Sequence, residues 1–286
     1  MPKIKYTPSK GLVQSIGTGE VAFQGALLKV TDVATDAWGA IKPAMVPGLH
    51  KNLKVFVLDA HTGMHEAIFA DSDTNTHIIE VDTATGAQML AKANDVDFTD
   101  GCVTLGTGGV AGNQTCVNFA PAVFRCAAGK QWWAETAFKI DDHDAAEFFF
   151  GVTEQKPETA GFHKVPAAAE KDRVGFLKES HSADALTFCV SHNAAGELTG
   201  SLPTPVAYDT DADVLSLGIH WDGTGINFYS NIVGTGVVPG DLILNKKAYN
   251  TVVPSDPNMR LALLLETGTA SPITGSINYI RAAFEV

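Results

Sequence analysis

The chain has 286 residues, 45% of them hydrophobic and only 18% charged, with 32 acidic against 20 basic side chains and a net charge of −12. That much apolar material builds a substantial core and excludes wholesale disorder. The acidic balance disfavours a duplex nucleic-acid binder, which neutralises phosphates with a basic surface. No run reaches the roughly 18 uninterrupted apolar residues of a membrane helix, and the opening MPKIKYTPSKG lacks the apolar stretch of a secretory signal. The expectation is a protein with neither membrane nor nucleic-acid partners, made and assembled in a cytoplasm.

Residues 1–19 carry Lys3, Lys5 and Lys10 and no acid before Glu20, so this segment is +3 and the remainder −15. Pro2, Pro8, Gly11, Gly17 and Gly19 punctuate it. It reads as an extended basic arm, not a helix: a latch on an acidic partner surface, a segment folded back on its own body, or a plain frayed end. Residues 20–95 hold short apolar runs at 21–23, 26–30, 55–58, 68–69 and 78–81, separated by Gly, Pro, Asp and Thr. That is the pattern of a small β-rich region; residues 38–46 are the one part compatible with a short helix.

From residue 96 the pattern is strongly β. Residues 102–105 are strand-like, and a glycine-rich loop follows at 106–112. Over 132–140, Trp132, Ala134, Thr136, Phe138 and Ile140 share one face, and Trp133, Glu135 and Lys139 the other. An acidic turn at 141–144 leads into a strand at 147–153. Further strands are expected at 173–178, 186–191, 214–221, 226–230, 259–266 and 277–284, with turns at 193–196, 222–225 and 255–258. Runs recurring every 10–20 residues, with no long helical period, predict an all-β antiparallel sandwich or jelly roll. The boundaries are 1–19 for the arm, 20–95 for the small β-rich region and 96–286 for the sandwich.

The four cysteines, Cys102, Cys116, Cys126 and Cys189, are too sparse for a stapled scaffold and lack zinc spacing. Buried reduced thiols are expected, with a Cys102–Cys116 bridge open if those segments form a hairpin. No nucleophile elbow, P-loop or HExxH motif occurs. His61 and His65 are four apart, but Thr62 and Gly63 oppose the helix that would align them on a metal. Asp71, Asp73 and Asn75, and likewise Asp209, Asp211 and Asp213, alternate as a calcium loop begins, yet Thr76 stands where the loop needs glycine and Asp82 and His220 stand at its last position. They read as hydrated turns. Asn113-Gln114-Thr115 matches a glycosylation sequon, which an unsecreted chain leaves unused.

A jelly-roll glycosidase needs two carboxylates facing one cleft. Glu135 shares its strand face with Trp133, an aromatic suited to stacking on sugar, but its i+2 and i+4 neighbours are Ala137 and Lys139. Glu135 therefore reads as a solvent-facing or interface residue. Trp132 and Trp221 read as core. A sugar-binding groove would draw on Trp133, Glu135, Asp222 and Asn227. Neither an enzyme nor a bound cofactor or metal is expected.

The residues also carry a resemblance. Asp100-Gly-Cys-Val-Thr-Leu-Gly-Thr-Gly-Gly109 is followed by Asn113-Gln-Thr-Cys-Val-Asn-Phe119, Phe124 ahead of a Gly129-Lys130 turn, and Trp133-Ala-Glu-Thr-Ala-Phe-Lys-Ile140. Then come Glu147-Phe-Phe-Phe-Gly-Val-Thr153, Asp172-Arg-Val-Gly-Phe176, Leu217-Gly-Ile-His-Trp-Asp222 and Asn227-Phe-Tyr229. This order, over residues 96–286, resembles the concanavalin-like jelly roll of tailed-phage virion proteins, capsid decoration (cement) proteins in particular. The resemblance implies a homotrimer on the outer surface of a phage head. Its partner would be the major capsid protein, gripped through the N-terminal arm with Lys3, Lys5, Tyr6 and Lys10, and there would be no catalysis. The alternative is a lectin-like module of a head or tail fibre that contacts host glycans.

Overall fold

The computed structural model describes residues 3–7, 11–16, 53–59, 80–83, 88–93, 102–119, 122–154, 172–181, 186–191, 197–201, 211, 214–233, 243–244, 253–256 and 258–285. Two compact units divide the chain, Met1–Ala40 and Ile41–Val286.

In the first unit, β1 (Lys3–Thr7) pairs antiparallel with β2 (Gly11–Ile16), Tyr6 opposite Leu12 and Lys5 opposite Val13. The sequence reading expects an extended arm here. Pairing satisfies the backbone donors and acceptors that a lone extended segment leaves to water, and the ladder ends with Thr7 opposite Gly11.

The second unit is a two-sheet antiparallel sandwich. Its strands are β3 (Leu53–Asp59), β4 (Glu80–Thr83), β5 (Gln88–Ala93), β6 (Cys102–Gly106), β7 (Gln114–Asn118), β8 (Trp132–Ile140), β9 (Ala146–Thr153), β10 (Arg173–Lys178), β11 (Thr187–Ser191), β12 (Glu197–Ser201), β13 (Val214–Trp221), β14 (Ile226–Val233), β15 (Ile243–Leu244), β16 (Arg260–Thr267) and β17 (Thr274–Glu285). One sheet has seven strands in the order β12-β11-β10-β9-β16-β7-β4. The other has eight, ordered β15-β14-β13-β8-β17-β6-β5, with β3 beside the C-terminal part of β17. The sandwich thus takes in β3, β4 and β5 from the 20–95 stretch. Each of them hydrogen-bonds to a strand of the main body, β17, β7 and β6 in turn.

The faces follow the alternation in the sequence. Phe138 of β8 meets Phe148 of β9 edge-to-face at 5.2 Å, and Phe228 of β14 packs on both Phe176 and Phe188, so aromatic pairs join the two sheets. Trp132 and Trp221 belong to this core, and Trp221 donates its indole N–H to the Ala127 carbonyl at 3.0 Å. The seven-stranded sheet also buries a second apolar cluster of Cys116, Phe149, Leu177, Cys189, Ala262 and Leu264, on the face turned away from the core.

All four cysteines are buried, and none of them is joined in a disulfide. Cys102 and Cys116 cannot form the hairpin bridge left open by the sequence, because β6 and β7 lie in different sheets. Burial pushes the Cys126 thiol far up, which keeps it unreactive.

Candidate functional site

The outer face of the eight-stranded sheet gathers most of the polar residues that the sequence singles out. Antiparallel register arranges them in rows across β14, β13, β8 and β17. Asn227, His220, Trp133 and Ala283 form the first row, Tyr229, Gly218, Glu135 and Arg281 the second, and Asn231, Ser216, Ala137 and Tyr279 the third. Trp133, Glu135 and Asn227 therefore share one face, and Asp222 sits in the turn between β13 and β14.

That turn is built by its own side chains. Asp222 Oδ1 accepts from Thr224 N (2.8 Å), Thr224 Oγ (2.7 Å) and Gly225 N (2.7 Å). Gly223 adopts φ of 90°, a left-handed conformation that costs glycine little. Asp222 Oδ2 accepts from Asn227 Nδ2 at 3.3 Å, so the turn fixes the first residue pair at the rim. Burial alone would raise the Asp222 carboxyl, but the hydrogen bonds from Thr224, Gly225 and Asn227 together hold it below its ordinary value.

Trp133 does not offer its ring to solvent. It is 4% exposed, and the His220 ring lies on it with centroids 5.0 Å apart and planes 12° from parallel. His220 Nε2 is 3.4 Å from Gln131 Oε1. Burial drops His220 from 6.5 to about 4, with Asp222 pulling the other way, so its imidazole is neutral near pH 7.

Glu135 is the main departure from the sequence reading. Expected at a solvent-facing or interface position, it is 4% exposed. Arg281, brought directly opposite by β17, places Nη1 3.4 Å from Glu135 Oε1. The guanidinium carbon also sits 3.8 Å from the centroid of the Tyr279 ring, a cation–π contact. Burial raises the Glu135 carboxyl from 4.5 to about 7, and Arg281 only partly opposes that rise. In the adjoining row, Ser216 is fully buried and its hydroxyl has no hydrogen-bond partner.

The other sequence candidates are not in this cluster. Lys3, Lys5 and Tyr6 lie on β1; Lys10 is outside the described residues, as are His61, His65, Asp71, Asp73, Asn75, Asp209, Asp213 and the 38–46 stretch. Asp211 accepts from both the backbone N–H (2.8 Å) and Nδ1 (2.7 Å) of His143. Among the described residues no set of three or more His, Cys, Asp or Glu side chains forms a metal-binding group. His220, Arg281, Tyr279 and Ser216 escape the sequence reading. Only the outward phase of β13 and β17 relative to β8 points to them, and strand register across 146 residues, as between Glu135 and Arg281, has no local signature.

No protein-family model matches the sequence, and no curated protein matches it significantly. Solved structures do match. A protein of unknown function, SO2946 from Shewanella oneidensis MR-1, aligns at 13% identity with a TM-score of 0.55, covering 83% of this chain and 88% of that one. Peanut lectin, solved with a nine-residue peptide, aligns at 10% identity with a TM-score of 0.50 over 81% of this chain and 97% of its own. An endo-1,3-β-glucanase from Streptomyces sioyaensis aligns at 10% identity and a TM-score of 0.48, over 83% and 98%. The first two likenesses show the fold: an all-β, concanavalin-like jelly roll.

Proposed function

We propose that this protein is a carbohydrate-binding module whose ligand site is the part-exposed rim of the outer face of the eight-stranded sheet, at Asp222, Asn227 and Tyr229. The observation that carries this reading is the rim of that face. Asn227, Tyr229, Arg281 and Asp222 are each part-exposed and anchored on strands or a braced turn, an arrangement of preset polar groups beside aromatic rings that suits sugar hydroxyls and C–H faces. The lectin among the structures that share this fold is in keeping with it. Binding is favoured over hydrolysis because the positions flanking Glu135 are Trp133 and Ala137 on its own face and Gly218 and Arg281 across the strands; none supplies the second carboxylate that glycoside hydrolysis requires. A glycan array followed by titration calorimetry tests it. Binding of a defined saccharide, weakened about tenfold or more by Tyr229→Ala and Asn227→Ala, is expected. A blank array, or binding that both variants leave intact, overturns it.

A second reading is that of a capsid decoration protein on the outer surface of a phage head, acting as a homotrimer on the major capsid protein. What favours it is the hairpin of β1 and β2, which belongs to the Met1–Ala40 unit and not to the sandwich. Lys3, Lys5, Tyr6 and Lys10 would make the contact, and three such hairpins in one trimer would gain from effective concentration. Cosedimentation with phage heads is expected to be lost on deleting residues 1–19 while the sandwich stays folded. Undiminished binding of the truncated protein, or a monomeric mass on the head-bound form, counts against it.

A further inference from the structure

The outer face of the eight-stranded sheet opens as a strip along β14. On β13 and β8 the face is closed: Ser216 is fully buried, and His220, Trp133 and Glu135 are at most 4% exposed. On β14 the same rows are part-exposed, at Asn227, Tyr229 and Asn231. Phe228 and Ser230, between them, are buried, so the three share the outer face through the alternation of the strand. Arg281 on β17 is part-exposed too, but the buried Gly218 and Glu135 lie between it and Tyr229. At roughly 3.3 Å per residue the run from Asn227 to Asn231 is about 13 Å long. The opening is long in the direction of β14 and shut on the side of β13.

One end of the strip is preset. Asp222 Oδ2 accepts from Asn227 Nδ2 at 3.3 Å, while its Oδ1 is held by Thr224 and Gly225. Phe228 packs on Phe176 and Phe188 in the core, which fixes the strand beneath. The chemistry alternates along the strip: an amide, a phenol ring, an amide. Amides both donate to and accept from hydroxyls, and a tyrosine ring offers an apolar face with a polar tip. A branched or compact glycan needs room across the sheet, which the buried residues of β13 and β8 do not leave. A straight chain needs room in one direction only.

We propose, building on the carbohydrate-binding reading above, that the ligand is an extended, β-1,4-linked linear oligosaccharide that lies along β14, with Asn227, Tyr229 and Asn231 meeting successive units. At the rise of the strand the strip takes about three pyranose rings end to end. Equatorial linkages keep such a chain straight over that length. A chain that coils, such as an α-1,4-linked glucan, leaves the strip before the last contact is made. Affinity therefore climbs with chain length until the strip is full, each further contact adding to a binding cost already met.

Titration calorimetry on the full chain tests this with cello-, manno- and chito-oligosaccharides, each as mono-, di-, tri- and tetrasaccharide, and with maltotetraose as the coiled control. The three series differ at C2, and the series that binds identifies the substituent taken. The expected result is affinity in one series that rises about tenfold or more from mono- to trisaccharide and levels off at the tetrasaccharide, with maltotetraose at least about tenfold weaker than that tetrasaccharide. Asn227→Ala is expected to weaken every length. Asn231→Ala is expected to remove most of the gain between di- and trisaccharide and to leave the disaccharide affinity in place, which shows that the site is still formed. Full affinity at the mono- or disaccharide, equal binding of maltotetraose, or an undiminished trisaccharide gain in Asn231→Ala overturns the proposal and leaves the carbohydrate reading standing. If no probe binds, an array hit on a branched glycan or a single terminal sugar overturns this proposal alone, and a blank array overturns both.

Discussion

The rings of Trp133 and His220 stack across β8 and β13, 5.0 Å between centroids and 12° from parallel, and the burial of that imidazole makes the stability of the sandwich depend on pH. The buried imidazole has its value lowered from 6.5 to about 4, chiefly by burial, with Asp222 opposing. The unfolded chain therefore binds a proton near 6.5 that the folded chain refuses until about 4. Stability from this group is full above 6.5 and is lost as pH falls from 6.5 to 4, by about 3 kcal/mol in total. His220→Phe keeps an aromatic ring on Trp133 and removes the titration. The difference in unfolding free energy between variant and wild type, followed by urea denaturation from pH 7 to 4.5, is expected to move towards the variant by an amount of that order. A constant difference across the range would show that His220 does not titrate as its surroundings imply.

Glu135 contributes the opposite slope. Its carboxyl, raised from 4.5 to about 7 by burial against the pull of Arg281, holds a proton in the folded state that the unfolded chain has already released. The destabilisation therefore grows as pH rises from 4.5 to 7, again by about 3 kcal/mol. Between pH 4.5 and 6.5 the two groups, neighbours on one face, oppose each other, and the wild type is flatter with pH than either single variant. For Glu135→Gln the stability difference from wild type is expected to shift towards the variant as pH climbs from 4.5 to 7.5, whatever constant offset the altered contact with Arg281 adds. A shift in the reverse direction would mean the carboxylate is ionised on folding.

Much of this architecture is legible in the sequence. The alternation over 132–140 assigns Trp132 to the core and Trp133 to the opposite face, as found, and the boundaries of 173–178 and 214–221 coincide with β10 and β13. The turn at 222–225 is announced by its Asp and Gly residues. What the sequence does not show is that the second face of β8 and β13 is buried too. Glu135 looks like a solvent-side residue because alternation reports which residues share a face, not whether that face meets water. Its partner Arg281 is 146 residues away. The strands β4 and β5 are likewise hard to place by pattern alone, since edge strands need no strong apolar alternation and owe their pairing to β7 and β6.

Lys178 ends β10 on the core-facing side, in register with Phe148, and is fully buried. Its ammonium donates to four backbone carbonyls: His143 (2.8 Å), Ala146 (2.8 Å), Ser180 (3.2 Å) and His181 (3.0 Å). It thereby ties the β8–β9 connection to the segment after β10. Lys178→Met keeps the apolar stem and removes the charge, leaving those carbonyls without this donor. Hydrogen bonds to a charged group are individually worth about 1.5–3 kcal/mol, so a loss of about 3 kcal/mol or more in urea unfolding is expected. A change below about 1 kcal/mol would show that water or a neighbouring donor replaces the ammonium.

Gly151 and Gly175 stand directly opposite each other on β9 and β10, on the face that carries the second apolar cluster. A Cβ on Gly175 would lie 2.5 Å from Phe149 Cε2 and 2.6 Å from the Phe150 carbonyl oxygen, and one on Gly151 would run into the Val174 carbonyl. The Phe149 ring could move, but the carbonyls are fixed by the ladder of the sheet, so the backbone itself has to shift. Gly175→Ala is therefore expected to cost about 1–3 kcal/mol, the range of overpacking in a close-packed interior. Because the two glycines share one contact between strands, the double variant Gly151→Ala/Gly175→Ala should lose less than the two singles combined: the first substitution already separates β9 from β10. Urea midpoints of the three variants read this directly. Full additivity would mean that each glycine answers to a separate constraint, and an unshifted midpoint in Gly175→Ala would mean that Phe149 does not rest on the glycine.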